Sequence, residues 1–314
     1  MFIFILLVFF AAWCYIGADC SEYRLSYLCI YEFILTFPAI ICVMLFCCFH
    51  TDEATWGGSC NGNRQSPIEI VSAAAAINRS LTPFTFTNFN NKTALTSIHN
   101  SDYTEPKSLN MSGGGLSEEY QTLMFTLHWG NRSSIPGSEH KLNGKRYPME
   151  LQIVSFKASS GDIQTALADS NGLAALGFLI EVDETTTGLP VSWKNLTTQL
   201  DAIAASGSSL NLSLSLSLDD LLTGVDRTKY YRYLGSLTTP NCDEAVVWTV
   251  FKDPVKVSKD LIDLFSTKIK DANSTLIVNN YRSIKPTQPF TYSSTPKTSA
   301  SFGLLLFALA LWKS

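Results

Sequence analysis

The chain has 314 residues, 46% of them apolar and 16% charged, with a formal net charge of −4. That length accommodates one large domain or two modest ones with a sizeable core. The charge balance excludes both a basic nucleic-acid-binding surface and a block-acidic disordered tail.

The chain begins with MFIFILLVFFAA, an apolar run closing on small residues. Residues 1–12 read as a signal peptide cleaved after Ala12, although a positive n-region is missing. Residues 13–55 contain a second apolar block, LCIYEFILTFPAIICVMLFCCF (28–49), with one charge at Glu32, a proline at Pro38 and four of the eight cysteines. Its length suits a transmembrane helix. An inserted segment absent from the mature protein, such as translated non-coding sequence, accounts for it equally.

Residues 56–290 read as one globular unit. Apolar or alternating runs at 65–71, 121–129, 149–156, 173–182, 210–218 and 245–251 are separated by Gly, Pro, Asn and Ser clusters, which predicts strands. LNLSLSLSL (210–218) alternates throughout, as a half-buried strand does. Two helices are predicted. One follows Ser192 as N-cap, with Trp193, Leu196, Leu200 and Ile203 on one face; the other follows Ser258, with Leu261, Ile262, Phe265 and Ile269.

Residues 291–314 join a polar stretch, TYSSTPKTSAS, to an apolar tail, Phe302–Trp312, which is too short to span a bilayer. Small residues, a spacer and a short tail form a glycolipid-anchor signal, with attachment expected at Ser293 or Ser294; a frayed hydrophobic terminus is the plainer alternative. Sequons begin at Asn78, Asn91, Asn110, Asn131, Asn195, Asn211 and Asn273. Together these features predict a glycoprotein of the secretory pathway, held at the extracellular face of the plasma membrane.

The candidate chemistry lies in QTLMFTLHW. Period-2 geometry puts Thr122, Met124, Thr126 and His128 on one face, with Leu123, Phe125, Leu127 and Trp129 on the other. Thr126 and His128 are then about 7 Å apart, close enough to converge on one ion. In MELQIV, Glu150, Gln152 and Val154 share a face. If that strand neighbours the first, Gln152 supplies a third corner.

The blocks RQSPIEI (64–70), SGGGL (112–116), LHWG (127–130), GSEH (137–140), MELQIV (149–154) and YRYLGSLTTPNCDEAVVWTVF (231–251) resemble those of the alpha-class carbonic anhydrases. WGGSC (56–60) and the C-terminal signal are most similar to the membrane-anchored branch. The resemblance implies a mainly β (α+β) fold, a single domain around a large twisted, mostly antiparallel sheet of about ten strands with a few surface helices. The family's zinc histidines correspond to Thr126, His128 and Gln152, so one of three remains. The chain has only four histidines, and His140 takes a structural hydrogen-bonding position. By the same resemblance Thr238 is the residue that hydrogen-bonds zinc-bound hydroxide and Glu139 the acid that orients it, while Glu150 and Trp248 match supporting positions. The proton-shuttle position falls at Tyr103, or at His99 by an ungapped count from SGGGL. Cys60 and Cys242 match the branch's disulfide, expected to stabilise by about 4–5 kcal/mol in the chain-entropy model. Cys14 resembles the first cysteine of a second bridge, with Cys20 its nearest candidate partner.

Catalytic zinc takes three protein ligands and one open position. A threonine hydroxyl is poorly basic, and a glutamine amide oxygen is a harder, weaker donor than imidazole for this ion. The expectation is therefore no zinc cofactor and no useful hydration of carbon dioxide. The domain would act as a binding or scaffold module for a cell-surface or extracellular protein. Two alternatives stand beside it. One is an active zinc-dependent enzyme that hydrates carbon dioxide reversibly; the other is a product with no folded role, if residues 28–49 come from a faulty transcript. At single residues the plainer readings are a buried Glu139–Thr238 hydrogen-bond pair kept for the fold, and His128 as a satisfied polar residue in a cavity.

Overall fold

The structure is a computed structural model, and it describes residues 53–100, 108–212 and 215–293. The signal peptide, Cys14, Cys20, the 28–49 block, Tyr103, Ser294 and the apolar tail lie outside these residues.

Among the described residues fifteen strands are formed: β1 (Glu69–Ile70), β2 (Ala76–Asn78), β3 (Phe84–Thr87), β4 (Ser97–His99), β5 (Asn110–Gly113), β6 (Tyr120–Trp129), β7 (Lys141–Leu142), β8 (Lys145–Arg146), β9 (Met149–Lys157), β10 (Leu173–Asp183), β11 (Ser209–Asn211), β12 (Tyr230–Gly235), β13 (Val246–Phe251), β14 (Val255–Ser258) and β15 (Phe290–Ser293). Ten build one sheet in the order β2-β15-β12-β13-β10-β9-β6-β5-β3, with β14 also pairing β10. Three of its nine pairings are parallel, β10/β13, β10/β14 and β15/β2, and the other six are antiparallel. The expected large, mostly antiparallel sheet with few helices is thus what forms.

Each face of the sheet carries its own core. β10 shows why its sequence is a continuous apolar run: it is covered on both faces. Ala174, Leu176, Phe178 and Ile180 join Phe125, Trp129, Trp193, Leu261 and Phe265 on the helix side. Leu173, Ala175 and Leu179 join Ile68, Phe156, Tyr233 and Trp248 on the other.

The runs at 121–129, 149–156, 173–182 and 245–251 form β6, β9, β10 and β13, whereas 65–71 contributes only the two residues of β1. LNLSLSLSL is not one strand. It pairs with β4 only over Ser209–Asn211, then turns into the helix Leu218–Leu221. Ser217 caps that helix reciprocally: its hydroxyl accepts from Asp220 N, and the Asp220 carboxylate accepts from Ser217 N. Alternation made the segment look extended, but the acidic pair after Ser217 supplied a helix start.

The helix predicted after Ser192 spans Val191–Thr197 with Pro190 at the cap position. The Ser192 hydroxyl donates instead to the Asp220 carbonyl (2.8 Å). Trp193, Leu196, Leu200 and Ile203 are all buried as expected, although the last two lie beyond the helix. The second helix, Lys259–Lys268, follows Ser258 as read.

Candidate functional site

β6 and β9 are antiparallel neighbours in the register that the site requires. Thr126 lies opposite Gln152, and His128 opposite Glu150. Thr126, His128, Gln152, Met124 and Val154 line a cleft of about 80 Å³ together with Ile163, Leu167, Leu173, Leu237, Thr238, Asp243 and Trp248.

The expected faces of β6 need one correction. A bulge between Thr122 and Met124 shifts the register. Thr122 now pairs with Ser155 and accepts its hydroxyl proton (3.2 Å), while Leu123 packs with the cleft-side core. One extra residue in one strand reverses the alternation before it. From Met124 to Trp129 the faces are as read.

His128 is buried, with Nδ1 2.8 Å from the Asn280 carbonyl and Nε2 3.3 Å from Thr126 Oγ1. A carbonyl can only accept, so His128 donates from Nδ1, and its Nε2 is engaged by the Thr126 hydroxyl. Asn280 also accepts from Trp129 N through Oδ1 (2.6 Å).

Gln152 is the centre of the polar arrangement. Its amide nitrogen donates to Glu139 Oε2 (2.8 Å) and to Glu150 Oε1 (3.0 Å). Both carboxylates are fully buried. The second Glu139 oxygen accepts from Arg282 N (3.0 Å). Acceptance at both oxygens is the pattern of an ionised carboxylate.

Glu150 also accepts from His140, through the ring Nδ1 and the backbone N (both 2.8 Å). Burial alone would raise the Glu150 pKa, but the charge and hydrogen bonds of His140 outweigh it and hold the carboxyl below its ordinary value. The chain of bonds continues from His140 Nε2 to the Tyr233 hydroxyl (2.7 Å) and on to Ser66 Oγ (2.9 Å). Burial pushes the Tyr233 hydroxyl well above its usual range. Trp248 closes this wall edge-on to His140 (4.8 Å between rings), with its indole N–H on the Ser236 carbonyl (2.9 Å).

Two glycines make room for the network. A side chain at Gly177 would press on Glu150 Oε1 at 3.0 Å, and one at Gly235 would collide with Ser66 Oγ and the Tyr233 ring.

The expected Glu139–Thr238 pair is not formed. Glu139 is spent on Gln152 and Arg282, and among the described residues nothing hydrogen-bonds the Thr238 hydroxyl.

His99 is also ruled out as a cleft residue. It lines a separate apolar hollow with Phe125, Leu127 and Trp129, on the opposite face of β6, and its Nε2 is 3.0 Å from Ser97 Oγ. Among the described residues no group of three or more His, Cys, Asp or Glu side chains is placed to hold a metal ion.

Cys60 and Cys242 form a disulfide, tying the start of the domain to the loop beside the cleft. Asn91, Asn131, Asn211 and Asn273 are exposed; Asn78, Asn110 and Asn195 are partly so. Ser293, one of the two expected attachment residues, ends β15 with its hydroxyl accepting from Tyr230 N (2.9 Å) and donating to the Thr228 carbonyl (2.7 Å). Among the described residues no helix is long and apolar enough to cross a membrane.

Asn280 and Arg282, which orient His128 and Glu139, were not singled out from the sequence. They sit in an irregular segment after the last helix, so no periodicity marks them; a buried Asn and Arg declare themselves only through their partners.

A curled ten-stranded sheet with a cleft over its central antiparallel strands defines the class of protein. A family model described as eukaryotic-type carbonic anhydrase matches residues 51–290, and the chain belongs to that family. It is 35% identical over 260 residues to carbonic anhydrase 4 of Rattus norvegicus, covering 81% of this chain and 82% of the relative. It is also 35% identical over 243 residues to carbonic anhydrase 6 of Bos taurus, covering 75% of each. Identity to carbonic anhydrase 12 of Homo sapiens is 33% over 239 residues, covering 72% of this chain and 65% of the relative.

Proposed function

We propose that this chain is an extracellular, membrane-anchored member of the carbonic anhydrase family that lacks zinc and hydratase activity and serves as a binding module for a cell-surface or extracellular protein. The observation that carries the reading is the state of Gln152. At the position where the family has an imidazole ligand, it offers only an amide oxygen, its nitrogen being committed to two buried carboxylates.

The donor set does not fit catalytic zinc. One imidazole, one hydroxyl already bonded to that imidazole, and one amide oxygen replace three nitrogens. Removing even an outer-shell partner of a metal ligand costs about 10–100-fold in affinity or activity. Replacing two ligands costs more.

The secretory setting rests on the sequence signals at both ends, the seven sequons, none of them at a buried asparagine, and the Cys60–Cys242 disulfide. Disulfides persist in oxidising compartments. Anchor attachment is expected at Ser293 or Ser294.

Metal content of the secreted protein, measured alongside rapid-mixing hydration of carbon dioxide, tests the proposal. The expected result is substoichiometric zinc and a rate at the uncatalysed level. Thr126→His with Gln152→His should create both zinc binding and activity. Stoichiometric zinc with sulfonamide-sensitive hydration in the native protein would overturn the reading in favour of an active enzyme, the alternative that the names of the relatives support. Mass spectrometry of the mature protein also separates the readings of the 28–49 block: a peptide from it counts against a faulty transcript, and its absence beside peptides of 56–290 marks the segment as artefactual.

A further inference from the structure

The cleft has an unusual electrostatic balance once its partners are traced. Glu139 is fully buried; its oxygens accept hydrogen bonds from two neutral amides, Arg282 N and Gln152 Nε2, and His128 Nδ1 lies 3.7 Å from Oε1. The Arg282 guanidinium hydrogen-bonds Gln65 Oε1, Ser66 O and Cys60 O, and it acts on Glu139 through its charge rather than by a hydrogen bond. Glu150 has the imidazole of His140, but it too draws on the Gln152 amide. A buried carboxylate is costly unless a cation meets it.

The Gln152 amide is clamped by its nitrogen end, so its dipole is fixed with the N–H groups on the carboxylates. Its carbonyl oxygen receives no hydrogen bond from any described residue, and the same is true of the Thr238 hydroxyl, although both side chains are at least nine-tenths buried and line the cleft. Thr126 Oγ1, which donates to His128 Nε2, keeps lone pairs and adds one more group that can accept. No lysine or arginine is among the lining residues, and Asp243 adds a further carboxyl. The rest of the lining is mixed: Ile163, Leu167, Leu173 and Leu237 form an apolar stretch, and Gln164, Thr239 and Asn241 add polar side chains.

We infer that this cleft is a binding site for a primary alkylammonium, whose three N–H donors meet Gln152 Oε1 and the hydroxyls of Thr238 and Thr126 while its alkyl stem lies along the apolar wall. The inference rests on the zinc-free reading above. Charge-assisted hydrogen bonds are the stronger kind, and the two carboxylates behind the Gln152 amide favour a cation over a neutral or anionic group of the same size. The chemistry is shared by free alkylamines and by the side chain of a lysine on a partner protein.

Titration calorimetry on the purified protein, with zinc measured on the same sample, tests this with n-butylamine, butyrate and butan-1-ol near neutral pH. n-Butylammonium should bind about tenfold or more tighter than either other probe. Thr238→Val should weaken it by about tenfold, with an unfolding midpoint close to wild type. An Nα-acetyl-lysine amide that binds as well as n-butylamine assigns the site to a partner's lysine. If it is excluded while n-butylamine binds, the ligand is a free amine. Butyrate or butanol binding as tightly, no saturation with n-butylamine, or an unaffected Thr238→Val protein would each overturn the inference. A zinc-free protein that ignores the amine fails only this inference; a zinc-loaded one overturns both it and the proposed function.

Discussion

Gln152 holds two buried carboxylates with one amide, and its replacement separates the effects of a donor from those of a shape. Gln152→Leu leaves Glu139 Oε2 without a donor and removes one of the donors to Glu150. Such a loss costs about 1–3 kcal/mol per buried group. Urea unfolding should show a destabilisation of that order, and Gln152→His, which keeps an N–H in place, should show less.

Tyr230 gives a second residue-level test. Burial pushes its hydroxyl up to about 12 from an ordinary 10.0, and it donates to the Thr82 carbonyl (2.7 Å). Between those values the unfolded chain has released the proton that the folded chain still holds. The folded pKa is the raised one, so the contribution is full below 10 and is lost as pH rises through about 12. Denaturation midpoints should fall across this window by an amount of order 2 kcal/mol, and Tyr230→Phe should fall by less.

At the scale of elements, the cleft depends on the register of β6 against β9, which sets Thr126 opposite Gln152 and His128 opposite Glu150. That register was legible in outline, because alternation in each strand assigned the faces. The bulge at Thr122/Met124 was not, since an extra residue leaves no mark in a hydrophobic pattern. The Ser-Leu repeat misled for a related reason: period-2 alternation cannot distinguish a long strand from a short one followed by a capped helix. The cap itself is testable. Ser217→Ala removes the acceptor for Asp220 N and should cost about 0.5–2 kcal/mol, read by thermal or urea unfolding.

For the whole molecule, long-range ties bring the two ends of the domain to the cleft. The Cys60–Cys242 disulfide closes a separation of 182 residues. Arg282 bonds back to Cys60, Gln65 and Ser66, and Glu53 accepts from Ser283 and Lys285. Loss of the disulfide frees a very long loop in the unfolded chain, worth about 5 kcal/mol in the chain-entropy model. A Cys60→Ala/Cys242→Ala protein should lose stability on that scale in denaturant titration, and the loop carrying Thr238 should become more susceptible to proteolysis.

Sequence alone determined the family, the large sheet, the cysteine pair and the identity of the three residues at the centre of the cleft, because each is carried by a local pattern or a contiguous block. Only the tertiary structure decided what those residues do to one another. Glu139, Gln152, Asn280 and Arg282 are scattered along the chain, and their hydrogen bonds exist only once strands and irregular segments close around them. The sequence showed that an amide stands at position 152. The fold determines that its nitrogen turns inward to two buried carboxylates, because a buried charge must be met and this is the donor within reach.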